Sequence, residues 1–223
     1  MIYDFHTHSF LSDGELSPVE LIRRALINQY AAIGVTDHAG PGNMRRVIEE
    51  LIMECRIAEK YWNIFAIPGV ELTHVPADSI ADLAKEARRI GAGLVVVHGE
   101  TLVEPVEPGT NLAAVSCNNV DVLAHPGLLT PEEAKLAVKN GVFIEVTARG
   151  GHNTSNGHVV KIGREAGVKF LINSDTHRPD NLLSDKWVSN VALGSGLSAA
   201  EAEKVLKENP LELLKRIENR RNL

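Results

Sequence analysis

The chain has few cysteines and no long apolar run, and each of these absences excludes certain classes of protein. It has two cysteines, Cys55 and Cys117, without CxxC neighbours, so we expect no disulfide framework and no thiolate zinc site. A reducing cytoplasm is then the default location. No basic segment precedes the first apolar run, residues 2–5, so no signal peptide is predicted. The apolar runs are far shorter than the roughly 20 residues of a membrane helix, so we expect no membrane partner.

Basic residues are also fewer than acidic residues. The 223 residues include 23 Lys and Arg against 29 Asp and Glu, which gives a formal net charge of −6. This balance disfavours a long nucleic acid as a partner. It is compatible with a small anionic substrate, because bound cations reverse the local field. Apolar residues make up 44% of the chain, enough for a well-filled core, and a homo-oligomer stays open.

Strand-like and helical patterns alternate along the chain. A capping residue followed three positions later by an acid indicates helix starts at Ser17, Thr130 and Ser198. Seven main strands are predicted near residues 2, 32, 65, 94, 121, 142 and 169, and residues 191–193 are a candidate accessory strand. Alternating strands and helices predict βαβ units and a parallel sheet.

Seven strands, one fewer than a regular barrel has, predict an α/β fold with a distorted seven-stranded (βα)7 TIM-like barrel. We expect residues 1–223 to form a single domain, because no repeat or linker interrupts the pattern. The alternative is an open doubly wound sheet, whose ligand crevice forms where the strand order reverses. Six separate strand ends would not easily converge on such a crevice.

Six of the predicted strands run into His, Asp or Glu residues. In a parallel barrel the carboxyl ends of the strands form one rim, where barrel enzymes place their chemistry. Nine such residues are candidate metal ligands: His6, His8, Asp13, His38, Glu71, His98, His125, Asp175 and His177. Imidazole and carboxylate groups suit zinc, manganese and iron. Nine exceed what one tetrahedral ion takes, so two or three divalent transition metals sharing bridging carboxylates are predicted.

Each candidate also has a plainer interpretation. Asp13 is compatible with an ordinary Asp-Gly turn, and His38 with a hydrogen-bonded histidine at the barrel mouth. Glu71 follows an apolar strand, where an acid is costly unless it is paired or metal-bound, although a surface position beyond the strand is the alternative. His98 and His125 are compatible with hydrogen-bonded core histidines. The three remaining histidines are interpreted as rim residues: His74, His152 and His158.

The order of these motifs resembles the polymerase and histidinol phosphatase (PHP) superfamily. The matching elements, in sequence order, are HxH, SDG, TDH, Glu after Pro-Gly-Val, His, His-Pro and DxH, from His6 to His177. The resemblance implies a distorted seven-stranded barrel with two or three metals at its rim. By this resemblance, the first metal would be held by His6, His8, Glu71 and Asp175. Glu71 would also bind the second metal, together with His98 and His125. The third metal would be held by Asp13, His38 and His177.

The predicted function is metal-dependent hydrolysis of phosphate esters in small phosphorylated metabolites or nucleotides. Histidinol phosphate is suggested only by the superfamily name. Asp175 belongs to the catalytic metal centre, and Asp37, His177 or a bound water would protonate the leaving group. Three residues are candidates for substrate binding: Arg149, Arg178 and His152. The alternative for Arg149 is an arginine in a loop that faces solvent.

Three other functions stay open at this point. An amidohydrolase-like enzyme for C–N bonds also begins with HxH, but usually has a bridging lysine at the fourth strand, where this chain has His98. A nuclease for short oligonucleotides would use the same metal chemistry. A non-catalytic subunit resembling the ribonuclease P protein would have lost ligands and gained basic surface, and this chain shows neither.

Overall fold

The barrel strands lie where the alternating pattern predicts them. The computed structural model describes residues 1–221, so residues 222 and 223 of the predicted 1–223 domain lie outside the described residues. The strands, in chain order, are β1 (Ile2–Thr7), β2 (Tyr30–Val35), β3 (His38–Ala39), β4 (Phe65–Leu72), β5 (Leu94–His98), β6 (Val122–Ala124), β7 (Phe143–Thr147) and β8 (Phe170–Asn173).

Seven of these strands form a nearly closed parallel barrel in the order β1-β2-β4-β5-β6-β7-β8, and the short β3 pairs with β4 outside this path. All the pairings are parallel. Three backbone contacts join the first strand to the segment after the last: a bridge between Thr7 and Thr176, a hydrogen bond from Asp175 to His6 and one from His8 to Thr176. The distorted seven-stranded barrel is thereby confirmed.

Helices follow the strands and cover the outside of the barrel. They are α1 (Pro18–Ile27), α2 (Met44–Tyr61), α3 (Ile80–Ile90), α4 (Thr110–Ser116), α5 (Pro131–Asn140), α6 (Asn156–Ala166), α7 (Asp185–Gly194), α8 (Ala199–Glu203) and α9 (Asn209–Arg221). The predicted caps are confirmed: Ser17, Thr130 and Ser198 each accept a hydrogen bond from the backbone three residues on.

The prediction of an accessory strand at residues 191–193 is wrong, because this segment lies in α7. Ser184 begins the helix by accepting a hydrogen bond from the backbone N–H of Trp187. Val188 and Ala192, four residues apart, are the buried side of the helix. The short apolar run is thus one face of a helix whose start is set by its cap.

The barrel interior is filled by apolar side chains and closed at one end by α9. Leu213 and Ile217 of α9 are fully buried and pack with barrel residues such as Phe5 and Leu94. Arg220 donates hydrogen bonds to Gly93 and Asp121, which directly precede β5 and β6. The helix therefore covers the amino ends of the strands and leaves the carboxyl ends free for a site.

No helix among residues 1–221 is long and apolar enough to cross a membrane.

Candidate metal centre

The barrel brings most of the predicted ligands to the carboxyl ends of its strands. His6 is the next-to-last residue of β1, and His98 is the last residue of β5. His125 directly follows β6 and has a φ of 25°, while Asp175 follows β8 with a φ of 52°. Such positive angles are uncommon for residues other than glycine and occur often at functional sites. The chain bends sharply at both positions and turns these side chains toward the barrel axis.

Five side chains form an inner cluster: His6, His8, Glu71, His125 and Asp175. His6 Nε2 lies 3.2 Å from a Glu71 oxygen and 3.8 Å from an Asp175 oxygen. His8 Nε2 lies 3.2 Å from Asp175 and 3.7 Å from Glu71. His125 Nε2 lies 3.6 Å from Glu71 and 3.8 Å from Asp175. Each imidazole thus lies within 4 Å of both carboxylates.

The inner cluster fits a divalent cation better than it fits a hydrogen-bonded core. His6, His8, Glu71 and His125 are at most 1% exposed at their side chains. Among the described residues, His6 Nε2, His8 Nε2 and Glu71 Oε1 have no hydrogen-bond partner. Buried polar atoms without partners are costly. Ligand atoms around zinc lie about 3.3 Å apart for bonds near 2.0–2.1 Å, so the distances in this cluster match a shared ion.

A second group lies closer to solvent and contains Asp13, His38 and His177. His177 Nε2 lies 3.2 Å and His38 Nε2 3.5 Å from the same oxygen of Asp13. A nitrogen of His8 lies within 4.8 Å of these atoms. His38 Nδ1 lies 2.7 Å from Glu71, which links this group to the inner cluster. All nine predicted ligands are therefore near the same end of the barrel.

His98 has different neighbours from those that the resemblance implies. Its Nε2 atom lies 3.1 Å from an oxygen of Glu104, and together with His74 they form a rim group of three possible donors. The ring of His98 lies 4.5 Å from that of His125, measured between centroids. His98 thus stands between the inner cluster and the rim. Neither His74 nor Glu104 was a predicted metal ligand, because neither directly ends a strand; His74 was interpreted only as a rim residue, and Glu104 was missed.

Two buried acids support the inner cluster and were also missed. Glu145 Oε2 lies 2.8 Å from His6 Nδ1, which leaves Nε2 of that imidazole facing the cluster. Asp4 accepts backbone hydrogen bonds from His6 and Ser174, at the two strand ends that carry ligands. A carboxylate behind a histidine is typical of metal sites. The signal for both was an acid inside an otherwise apolar strand.

The protonation of the imidazoles differs sharply across the centre. Burial lowers the pKa of His8 to about 3, and burial with the nearby charge of His98 lowers that of His125 to about 4. Both are neutral at neutral pH, which is the form that binds a cation. Burial alone would lower the pKa of His38, but the negative charges of Glu71 and Asp13 outweigh it and raise the pKa to about 10.

The centre opens into a cavity of about 450 Å³. Arg149 and His152, two of the three candidates for substrate binding, line it, and Arg149 donates a hydrogen bond to the backbone carbonyl of Asp175. Arg178 does not line this cavity; its side chain is 63% exposed and pairs with Glu15 and Asp180. Arg149 is thus the one arginine or lysine that the cavity lining contains among the described residues.

Asp37 lies beneath the loop that carries Asp13. Its carboxylate accepts hydrogen bonds from the backbone and the hydroxyl of Ser9 at 2.8 and 2.7 Å. It accepts two more from the backbone and hydroxyl of Ser12, at 3.1 and 2.7 Å. Asp37 is buried and is not part of the cavity lining. Its contacts fix the turn that presents Asp13.

Comparison with known proteins identifies the family of this chain. The model of the PHP domain matches residues 4–190. An uncharacterized protein of Methanocaldococcus jannaschii is 50% identical over 218 residues, 97% of this chain and all of that protein. The 5'-3' exoribonuclease Rnm of Escherichia coli is 26% identical over 167 residues, 72% of this chain and 53% of that protein.

A solved structure of the histidinol phosphate phosphatase of Lactococcus lactis, with zinc, L-histidinol and phosphate, has a similar fold. The TM-score is 0.59 at 14% identity, over 88% of this chain and 94% of that one. An identity this low shows the fold alone. The domain match over residues 4–190 shows that the chain is a member of the PHP domain family.

Proposed function

We propose that this protein is a metal-dependent hydrolase of phosphate esters that acts on small phosphorylated molecules. The observation that carries the proposal is the inner cluster, where buried imidazole and carboxylate atoms converge without hydrogen-bond partners among the described residues. The cavity above the centre also contains an arginine, as recognition of a phosphoryl group requires. An amide substrate would not need this cation.

Two or three ions of zinc, manganese or iron suit the donor set. His6, His8, Glu71, His125 and Asp175 would hold the inner ions, and Asp13, His38 and His177 a further one. When bound, such ions lower the pKa of a coordinated water and neutralise the charge that develops on phosphoryl oxygens. Asp175, which contacts His6, His8 and His177, has the central position in this arrangement.

Arg149 positions the substrate in this proposal. Its Nη1 atom lies 3.1 Å from the carbonyl of Asp175 and 2.8 Å from His177 Nδ1, which holds the guanidinium beside the metal ligands. The side chain keeps 32% exposure, so it is accessible from the cavity. His152 lines the same cavity, with Nδ1 fixed by Thr101 at 2.8 Å. Both can therefore hydrogen-bond to phosphoryl oxygens.

In this proposal a water in the cavity protonates the leaving group, or His177 does so in a two-ion centre in which its imidazole holds no metal. His177 lines the cavity, whereas all the contacts described above for the Asp37 carboxylate are with Ser9 and Ser12. A general acid must reach the leaving oxygen directly or through one water. We therefore assign Asp37 a positioning role through the Asp13 turn.

A second candidate function is cleavage of phosphodiesters at the end of a short RNA. It is favoured by the 26% identity to the 5'-3' exoribonuclease Rnm. The net charge of −6 and the single arginine of the cavity fit a short segment rather than a long duplex. The same metal centre would serve both reactions.

We also propose a cytoplasmic location and one catalytic domain. Cys55 and Cys117 are both free and buried, as is usual in a reducing compartment. The barrel strands enclose one apolar interior, and the ligands come from nearly all of them.

The test combines metal analysis with a substrate panel. The purified protein is assayed with a phosphomonoester, a phosphodiester, a short 5'-phosphorylated oligoribonucleotide and an amide, with manganese or zinc added. We expect at least two equivalents of metal and hydrolysis of one class of phosphoester, abolished by a chelator. Cleavage of the amide alone, or a protein without metal and without activity, would contradict the proposal.

Two variants locate the activity. Asp175→Asn should lower the rate about a hundredfold or more, because it removes a shared ligand. Asp82→Asn, on the exposed face of α3, is the matched control and should be unchanged. The Arg149→Ala variant should have a higher KM than the wild type and the same metal content. An unaltered KM would show that Arg149 does not bind the substrate.

A further inference from the structure

Glu104 extends from the loop of residues 99–109 into a ring of imidazoles at the cavity rim. One oxygen of its carboxylate lies 3.1 Å from His98 Nε2 and 3.2 Å from His74 Nε2. The other oxygen lies 3.3 Å from His152 Nε2. These three histidines follow or end three different strands, so the convergence is a property of the tertiary structure.

Two of the three imidazoles are already oriented by a partner on the other ring nitrogen. His98 Nδ1 lies 3.2 Å from the carbonyl of Gly99, and His152 Nδ1 lies 2.8 Å from the hydroxyl of Thr101. Histidines that bind metals are held in this way, with the free nitrogen directed at the ion. His74 has a left-handed backbone with a φ of 50°, a conformation that is costly for a histidine.

The loop that carries Glu104 is fixed at its base. Glu100 accepts hydrogen bonds from the backbone of Gly109 and Asn111, which closes the loop across its ends. Glu107 accepts one from the backbone of Ala77, which ties the loop to the segment after His74. Glu104 and His74 are therefore brought together by loops that are connected to each other.

We propose that His74, His98 and Glu104 hold a divalent metal ion at the rim, with His152 beside it. The distances between these donors match the spacing of about 3.3 Å expected around a tetrahedral zinc ion. The assignment adds Glu104 and His74 to the ligands implied by the resemblance, and it makes His98 a ligand of the rim ion. It rests on the proposed metal chemistry and names further residues of the same centre.

The rim ion differs from the inner ions in its access to solvent. The side chains of His74 and Glu104 are 43% and 36% exposed, whereas those of His6 and Glu71 are fully buried. An ion with exposed ligands exchanges more readily, because less structure must open to release it. We therefore expect the rim ion to bind last and most weakly, next to the cavity that receives the substrate.

Metal titration of the full chain tests the proposal without an activity assay. The protein is stripped with a chelator and titrated with zinc by calorimetry, and bound zinc is counted after gel filtration. Glu104→Gln and His74→Asn should each weaken the last binding step about tenfold or more and leave the tighter steps unchanged. Asparagine is chosen at position 74 because it tolerates the left-handed backbone.

Glu107→Gln, in the same loop, is the matched control: the glutamine oxygen can still accept the hydrogen bond from the backbone of Ala77, so the contact between the loops is kept and the variant should titrate like the wild type. Replacement of zinc by cobalt gives a second readout, since the visible spectrum of the last cobalt bound should change in Glu104→Gln and His74→Asn but not in Glu107→Gln. Unchanged titrations and spectra in Glu104→Gln and His74→Asn would overturn the rim site. They would leave the phosphoesterase proposal intact, because the wild-type substrate panel decides that separately.

Discussion

At the scale of single residues, Glu145 shows how a carboxylate outside the metal cavity controls the centre. One oxygen lies 2.8 Å from His6 Nδ1 and 2.8 Å from the side-chain nitrogen of Asn173. The other oxygen accepts a hydrogen bond from the backbone of His125. Glu145 is fully buried, and although burial raises its pKa, the positive charge of His6 and the hydrogen bond with His6 keep that pKa below the ordinary value. It thereby fixes the orientation of two predicted ligands.

Glu145→Gln should weaken metal binding about 10- to 100-fold, because glutamine lacks the charge that orients His6 and strengthens it as a ligand. Zinc titration by calorimetry measures the change, and circular dichroism checks that the fold is kept. Glu165→Gln, exposed on α6, is the control that removes the same charge from the surface. Equal zinc affinities in both variants would show that the charge of Glu145 does not contribute to metal binding.

At the scale of secondary-structure elements, α6 lies unusually close to the strand that follows it. A Cβ atom placed on Gly163 would lie 2.4 Å from the ring of Phe170, at the start of β8, and 2.6 Å from Val168. Gly163 and Phe170 are both buried. The helix approaches this closely because one residue of its inner face has no side chain. The contact fixes the direction in which β8 leads to Asp175.

Gly163→Ala should destabilise the protein by about 1–3 kcal/mol, since the added methyl group forces the Phe170 ring to move. Gly157→Ala in the same helix is the matched control, because a Cβ atom placed on Gly157 would have no neighbour within 4 Å. That variant should be neutral or up to about 1 kcal/mol more stable, owing to the helix propensity of alanine. Urea unfolding compares the two; equal effects would argue against the close approach.

At the scale of the whole molecule, the metal centre couples folding to pH. Without metal, Glu71 and Asp13 outweigh burial and raise the pKa of His38 to about 10, and Glu71 and Glu145 raise that of His6. The native state then binds more protons than the unfolded chain above pH 6.5. This contribution to stability is fully present below pH 6.5 and is lost as the pH rises through about 10. In the proposed centre, a bound cation would take the place of these protons.

The stability gained from metal should therefore increase between about pH 6.5 and 8.5. The metal-free protein should lose up to about 1.4 kcal/mol per pH unit for each proton held, while the metal-saturated protein should not. Urea unfolding with zinc and with a chelator, at several pH values, measures the difference. A difference that stays constant or shrinks over this range would contradict the assignment of His38 and His6 as ligands.

The sequence alone determined the type of barrel and the positions of most candidate metal ligands along the strands. Several apolar runs have the length and period typical of strands, and each is followed by His, Asp or Glu. These runs predicted where β1, β4, β5, β6 and β8 end. Helix starts at Thr130 and Ser198 were readable because a cap is a local interaction between neighbouring residues. The prediction for residues 191–193 was wrong because a short apolar run does not distinguish a strand from one face of a helix.

Which candidate ligands face each other, and what surrounds them, depends on contacts between distant parts of the chain. Glu104 and His74 are 30 residues apart and belong to loops, so no local pattern relates them. Glu145 and His6 are 139 residues apart and meet because β7 and β1 lie on opposite sides of β8. The sequence encodes strands and caps through local forces, whereas contacts across the barrel depend on the closure of the whole sheet.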